Sequence, residues 1–536
     1  MKKKTLKKLS YTIALFLLIS AVLYLIFFMH VRLDRLLNAD DSSELVLSRL
    51  LSENKEVLSG DWYYSTEIRL LNTQLVYTPF FWIFKSWHMV RICSLAVMCC
   101  ILIAGARYFC RNTSIKEYSL IVALLLVLPV SYDYMRFVLK GAYYVPHIAI
   151  NLFELGMLFK YLNAGKRKRR SFILCASVIL SLLAGAGGAR QILMLYLPLL
   201  FGVMMSIFVI LYNKRYADAV EPFIRDLTGF TLASFAGAAA GFVINSKVLP
   251  KFFTFKKWNS IGFIDLSADN LFAVLNGYWA EMGYRKGPAG LSTLLTNGIA
   301  IVLFTLALWS MVYGIRHYSE VSREYHVLSV FYASFLVIFT ALYVWTDMLY
   351  RDRYNIPTHL FGFILILFWF KESRPRFKIR SILLLLYIGA LLINSVLAYR
   401  YFWKVDNTSE YREIVAYLTG EGYDFGYGTF WNSNILTELS DGQLKMHIWV
   451  DGDDTGALEK LTNVDYARGW LQAKENDTLI PEGKVFVIFS AAEPEHLAWK
   501  DNIEKLTPIY KTSDYIVFGF RDHAEMKDLL EKGMTK

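Results

Sequence analysis

Charge is scarce in this chain. Asp, Glu, Lys and Arg make up 19% of its 536 residues while hydrophobic side chains reach 55%, whereas soluble domains carry roughly 25% charged residues. A single soluble core cannot absorb that much apolar sequence. Cysteine is also sparse: Cys93, Cys99, Cys100, Cys110 and Cys175 all lie in or beside apolar segments, and the hydrophilic tail has none. That excludes a disulfide-built tail module. The histidines show no metal-ligand spacing, no glycine loop of nucleotide-binding type is present, and no Ser-His-Asp arrangement stands out. Cytoplasmic nucleotide-sugar chemistry therefore has no visible site, and neither an internal repeat nor a low-complexity tract suggests a solenoid.

What charge there is lies unevenly. Residues 401–536 hold 14 Lys/Arg against 24 Asp/Glu, so the net charge of +11 conceals a strongly basic region before residue 401. The basic part is also the apolar part, and nucleic acid is not needed to explain it. A membrane helix needs about 20 mainly apolar residues, which gives eleven candidates: 11–29, 90–109, 118–131, 145–163, 171–187, 191–212, 227–245, 297–315, 327–345, 356–370 and 381–398. The first follows Met1-Lys2-Lys3-Lys4-Thr5-Leu6-Lys7-Lys8, and no small-residue cleavage site follows it, so it reads as an uncleaved helix. Lys166 to Arg170, Lys214-Arg215, Arg316-His317 and the five basic residues from Lys371 to Arg380 all fall on the N-terminal side of this arrangement. By the positive-inside bias that side is cytoplasmic.

The predicted architecture is thus an all-α polytopic membrane domain over 1–400, with about eleven spans, and an extracytoplasmic mixed α/β domain over 401–536. Four segments face outward: 30–89, 131–145, 246–296 and the tail. Leu47, Leu50, Leu51 and Leu58 recur at helical spacing in the first of these, as expected of an interfacial helix. A second amphipathic stretch, Trp62 to Phe84, is rich in aromatics that favour headgroups. In the tail, 425–431, 446–450, 485–489 and 515–520 read as strands, and 410–418 and 493–506 as helices, with turns at Asp441-Gly442 and Asp451-Gly452-Asp453-Asp454.

The acidic pair Asp40-Asp41 stands about ten residues beyond the first apolar run. One reading is structural: Asp41 caps the next helix and Glu44 completes a capping box. The other is chemical: a carboxylate at the membrane surface takes a proton from an acceptor hydroxyl as that hydroxyl attacks a sugar carbon. A paired acid, an interfacial helix, Tyr77-Thr78-Pro79-Phe80-Phe81 and then Val90-Arg91-Ile92-Cys93-Ser94 opening the second span follow in that order. This order resembles the first outer loop of the GT-C superfamily of membrane glycosyltransferases, in the style of protein mannosyltransferases and aminoarabinose transferases (glycosyltransferase family 39-like). The resemblance implies a bacterial, multi-pass enzyme of the cytoplasmic membrane using a polyprenyl-phosphate sugar, with Asp40 or Asp41 in the acid/base position. The implied acceptor is an envelope glycan, lipid or protein, and membrane lipids are the remaining partners.

Relatives with a metal show more acids in the second outer loop, whereas Ser131 to Arg136 offers only Asp133, so a divalent metal is possible but doubtful and no cofactor is certain. Asp133 reads either as a substrate contact or as an ion-pair partner of Arg136. A donor phosphate needs cations where its charge accumulates. Arg190 follows Gly185-Ala186-Gly187-Gly188-Ala189, and Tyr350-Arg351-Asp352-Arg353-Tyr354-Asn355-Ile356-Pro357 resembles the Arg-Tyr-x-x-Pro pattern of GT-C relatives. Arg190, Arg353 and Arg351 are accordingly the candidate phosphate ligands. The alternatives are a tight helix–helix turn for Arg190 and a loop-fixing Arg-Asp-Arg network for the second segment. Glu67 and Arg69 are weaker candidates for substrate contact, and on an interfacial helix they are a solvated face. Trp431, within Tyr427 to Asn434, suits a sugar face or simply a strand end. A polytopic carrier or scaffold for lipid-linked glycans, or a polysaccharide polymerase, is the competing function.

Overall fold

A computed structural model describes residues 2–212, 217–255, 262–287, 290–348, 350–373, 377–450 and 454–532. The Lys214-Arg215 pair, Arg374, Arg376 and the turn Asp451-Gly452-Asp453 lie outside the described residues. Each of the eleven apolar segments contains a helix. Among the described residues, however, seven helices are long and apolar enough to cross a membrane, or eight if the bent pair Lys116–Val127 and Tyr132–Lys140 counts as one span. The chain is a multi-pass membrane protein. The expected count of eleven is not reached on length and composition, because helix Ile356–Glu372 is only 17 residues long and helix Val145–Leu162 is diluted by His147, Asn151, Glu154 and Lys160.

Small residues let these helices pack closely where lipid provides no hydrophobic drive. Helix Arg167–Gly185 lies against helix Ala217–Val243. A Cβ on Gly185 would overlap the Ala238 carbonyl, and one on Gly241 would overlap that of Leu182. Polar side chains link these helices further: Ser177 hydrogen-bonds Ser234 across the same pair at 2.8 Å, and Ser181 donates to the buried Glu154 of helix Val145–Leu162 at 3.3 Å.

The first loop is more irregular than its amphipathic pattern suggests. Helix α1 (Lys2–Leu36) breaks at Leu37-Asn38, and α2 (Ala39–Asn54) starts immediately after it. Asn38, not Asp41, is the N-cap; its side chain accepts from the Asp41 amide at 2.9 Å. The capping box is therefore absent, and Glu44 is free to turn elsewhere. The Trp62 to Phe84 stretch is not one helix either. Trp62–Tyr64 forms strand β1, the chain to Thr73 is irregular, and helix resumes only over Gln74–Phe81. Trp62, Tyr64 and Ile68 are held by burial against Leu47 and Leu51 of α2. Tertiary packing has overridden the local helical pattern.

The tail is α/β. The parallel strands Phe425–Gly428, Lys445–Ile448 and Val485–Ser490 lie in the order second, first, third, and the antiparallel strands Tyr515–Phe520 and Tyr510–Lys511 extend the sheet beyond the third. Trp431, expected at a strand end, belongs instead to helix Phe430–Leu439. The expected helix over 493–506 is two short pieces, Glu493–His496 and Lys500–Ile503.

Three features bind the tail to the first loop. Strand β1 pairs with Thr254–Phe255 and with Gln472–Ala473 of the tail in one small sheet. Ala39 packs with Phe430 and Ile448. Buried Arg91, in helix Trp87–Arg111, forms a two-pronged ion pair with Glu438, its Nη2 lying 2.8 Å from Oε2.

Removing one member of a buried pair leaves an unpaired charge and costs about 3–5 kcal/mol. Arg91→Met should accordingly lower the thermal midpoint of the detergent-solubilised protein sharply, and an unchanged midpoint would show the pair to be dispensable. Because loop and tail share a sheet, single cysteines at Glu56 and Glu482 in a cysteine-free background should react alike with an impermeant thiol reagent in intact cells. A cysteine at Lys168 should stay unlabelled. Labelling at only one of the first two sites contradicts the shared face.

Candidate functional site

The two aspartates of α2 have different surroundings. Asp41 is 1% exposed and forms an ion pair with Lys140, whose Nζ also donates to the Leu36 carbonyl at 2.9 Å. Gly141 lies against the same carboxylate, where any side chain would overlap Oδ1. The Asp41 carbonyl accepts from Arg91 Nη2 at 2.7 Å. Burial raises the Asp41 carboxyl above the usual carboxylate range, against the opposing pull of Lys140 and Arg91. Asp40 is half-buried instead, and its Oδ2 is 3.2 Å from Arg353 Nη1. Helical geometry turns neighbours about 100° apart, so one acid enters the core and the other faces the rim.

The rim is a network of three arginines, three acids and aromatic rings. Arg353 lies 5.7 Å from the Phe137 ring and 5.7 Å from the Tyr354 ring. Arg190 lies 5.0 Å from the same Tyr354 ring and 5.5 Å from Tyr144. Glu67 bridges Arg190 at 3.6 Å and Arg69 at 3.4 Å. Arg69 continues to Glu44 at 3.7 Å, and Glu44 also accepts from Asn72 at 2.8 Å and Thr73 at 3.0 Å. Burial pushes the Glu44 carboxyl up, while Arg69, Thr73 and Asn72 oppose that shift. Gly188 adopts φ +104°, and a Cβ there would overlap the Glu67 carboxylate. Glycine is thus needed so that this turn can approach an acid. Gly185 by contrast serves the packing of helix Arg167–Gly185 on helix Ala217–Val243.

The remaining candidates divide. Arg351 is exposed, and among the described residues no side-chain contact joins it to either aspartate. Asp133 and Arg136 stand 4.0 Å apart, with Arg136 largely in solvent. Asp133 and Asp352 also act on buried Glu281, which burial first and these two acids next hold well above the usual range. Glu67 and Arg69 are not a solvated helical face: both are largely buried, on irregular backbone. Trp431 is 37% exposed beside Phe430, with ring centroids 5.1 Å apart, and Phe430 reaches Ala39 next to Asp40.

Sequence reasoning missed Lys140, Glu44, Tyr144 and Tyr354 as members of this network. A signal existed for Lys140, a single cation closing the apolar run Phe137-Val138-Leu139, since a charge in such a place is costly unless paired. Among the described residues no group of three or more His, Cys, Asp and Glu side chains is arranged to hold a metal ion.

Comparison with solved structures gives the fold a counterpart. The chain is similar to ArnT from Cupriavidus metallidurans in the apo state, with TM-score 0.58 and 13% identity over 95% of this chain and 98% of that one. It is also similar to ArnT from the same organism bound to undecaprenyl phosphate, with TM-score 0.54 and 12% identity over 94% and 97%. These are GT-C glycosyltransferases, so the resemblance expected from the first loop is borne out at the level of the fold. No protein-family model matches the chain, and no curated protein does.

The contrast between the two aspartates can be tested without activity. Lys140→Met leaves the buried Asp41 carboxylate unpaired and should cost about 3–5 kcal/mol of stability. Combining it with Asp41→Asn should recover part of that loss. Asp40→Asn, at the rim, should move the melting midpoint by little, as exposed ion pairs contribute about 0–1 kcal/mol. Thermal unfolding of these three variants and of Asp41→Asn alone in detergent checks the order, and equal losses at both aspartates would erase the distinction.

Proposed function

We propose that this protein is an inverting glycosyltransferase of the cytoplasmic membrane. It moves a sugar from a polyprenyl-phosphate carrier to a hydroxyl acceptor at the outer face. The observation that carries the reading is the half-buried Asp40 carboxylate beside Arg353, with Arg190 on the same Tyr354 ring. An acid available for proton transfer stands next to cations suited to a phosphate leaving group. The similarity to a structure of ArnT bound to undecaprenyl phosphate supports a lipid-linked donor.

In the proposed reaction the acceptor oxygen attacks the anomeric carbon as Asp40 takes its proton. A new C–O bond forms on one side. On the other, the bond to the phosphate oxygen breaks, and polyprenyl phosphate departs with the electron pair. A single displacement of this kind inverts the anomeric centre. In-line geometry requires the phosphate to lie across the sugar from the base. Arg190, which makes no direct contact with Asp40, is therefore the better phosphate ligand, and Arg353 sits close to the reacting centre. Asp41 holds the base in place by anchoring the first turn of α2. Arg351 is left without a role in donor binding. Asp133 and Arg136 serve the architecture of the second outer loop, and Trp431 borders the acceptor side through the Phe430–Ala39 contact. The outward-facing tail completes the site's wall.

Asp40→Asn should abolish sugar transfer in proteoliposomes supplied with a panel of polyprenyl-phosphate sugars, while leaving the protein folded. Near-parental rates would remove Asp40 from the chemistry. Arg190→Lys keeps the charge but loses the planar fork, so binding of a fluorescent polyprenyl phosphate should weaken, and Arg190→Ala should be worse by roughly 1.5–3 kcal/mol. Unchanged lipid binding in both variants would make Arg190 an architectural residue only.

A further inference from the structure

The two ends of the first outer loop meet at a pair of histidines. His30 lies on the last turns of α1 and His88 in the first turn of helix Trp87–Arg111, 58 positions away. His88 Nε2 stands 3.2 Å from His30 Nδ1, and the two rings are inclined at 65°. His88 Nδ1 is 2.8 Å from a carboxylate oxygen of Asp34, one turn beyond His30 on α1. Neither ring is sealed in the core: His30 is exposed, and the His88 side chain keeps 22% of its surface.

A carboxylate only accepts, so the proton between His88 and Asp34 sits on Nδ1, and the neutral His88 ring turns a lone pair at Nε2 towards His30. Among the described residues nothing else bonds to the His30 ring. Its tautomer is therefore not fixed, and with the proton on Nε2 its Nδ1 presents a second lone pair to the first. Two lone pairs this close repel unless a proton or a cation lies between them. A tetrahedral zinc ion with imidazole bonds of about 2.0–2.1 Å sets its nitrogens about 3.3 Å apart, which is close to the spacing found here. A histidine whose second nitrogen donates to a carboxylate is held in the metal-binding tautomer and made more basic, and Asp34 does this for His88. Magnesium and calcium take oxygen ligands and gain little from such a pair, whereas imidazole suits zinc.

We propose that His30 and His88 bind a zinc ion between them, with water filling its remaining positions and Asp34 as the positioning residue behind His88. The ion takes the place of the single proton that the two rings otherwise share. It closes the loop that carries Asp40, Glu44, Glu67 and Arg69, and metal clips across long loops gain most from the restriction they place on the unfolded chain. The clip stands one turn before Arg91, which already holds the Asp41 carbonyl, so metal and ion pair tie the same junction. With two protein ligands the site is open and exchangeable, in contrast to the four-ligand structural zinc centres. It plays no part in proton transfer at Asp40 and does not depend on the reading of the protein as a sugar transferase.

The test uses the full-length protein purified without a histidine tag, stripped with a chelator and then given zinc or magnesium chloride. Zinc should bind in equilibrium dialysis and raise the thermal midpoint, because a ligand of the folded state alone stabilises that state. Magnesium should do neither. His30→Ala removes an exposed ring, so it should leave the zinc-free midpoint near that of the parent while weakening zinc binding by about tenfold or more. His88→Ala should weaken binding likewise, and Asp34→Asn, which keeps both ligands, should weaken it by about tenfold. If the His88 variant does not fold, His30→Ala decides the question by itself. A parent whose midpoint does not respond to zinc overturns the assignment, as does an equal response to magnesium. Zinc binding that survives His30→Ala undiminished overturns it too, since the ion would then sit on other side chains. Parental affinity in Asp34→Asn overturns the role given to Asp34.

Discussion

Buried Arg91 holds this structure together beside the two aspartates of the first loop. Its guanidinium reaches the Asp41 carbonyl on one side and the Glu438 carboxylate on the other. One cation thus joins the start of a membrane helix, the first turn of the loop helix and a helix of the tail. A buried guanidinium demands partners for its donors, and these lie 50 positions away at Asp41 and 347 positions away at Glu438. The position of Asp40 follows from this: it occupies the residue just before a carbonyl that cannot move without stranding Arg91, and one turn face away from a carboxylate pinned by Lys140.

Around that fixed point the outer rim is arranged by charge alternation. Glu44, Arg69, Glu67 and Arg190 form a continuous sequence of ion pairs, and Asp40 with Arg353 forms another. The two meet at the Tyr354 ring. Such a rim holds cations in place before any ligand arrives, which is the condition for electrostatic stabilisation of a leaving group without reorganisation. Its glycines serve the same arrangement. Gly141 and Gly188 each lie where a side chain would displace a carboxylate, so the backbone at both is shaped to fit an acid.

The tail forms part of this arrangement. It contributes a strand to the sheet of the first loop, an ion-pair partner to Arg91 and the Phe430 contact beside Asp40. Its own parallel strands place helix Phe430–Leu439 at their carboxyl ends. The contact to α2 and the sheet of the tail therefore support each other, and a change in one is expected to be felt in the other.

Composition and the apolar runs determined by themselves that this is a multi-pass membrane protein, because burial in lipid dictates long apolar stretches irrespective of tertiary detail, while the order of features in the first loop carried only a resemblance. They also singled out Asp40, Arg190 and Arg353, since charge at a membrane rim is conspicuous against an apolar background. They did not separate Asp40 from Asp41, because adjacent residues have the same composition and differ only in which way a helix turns them. Only the fold decided that Lys140 and Gly141 would meet Asp41, that Arg351 would be left in solvent, and that Glu67 and Arg69 would lie on irregular backbone under a small three-stranded sheet. Nor could periodicity reveal the relay in which Asn151 donates to the Pro357 carbonyl and accepts from Gln191, whose side-chain oxygen meets His147. Its members come from three segments, and the direction of its hydrogen bonds exists only once the chain has brought a carbonyl to one end of it.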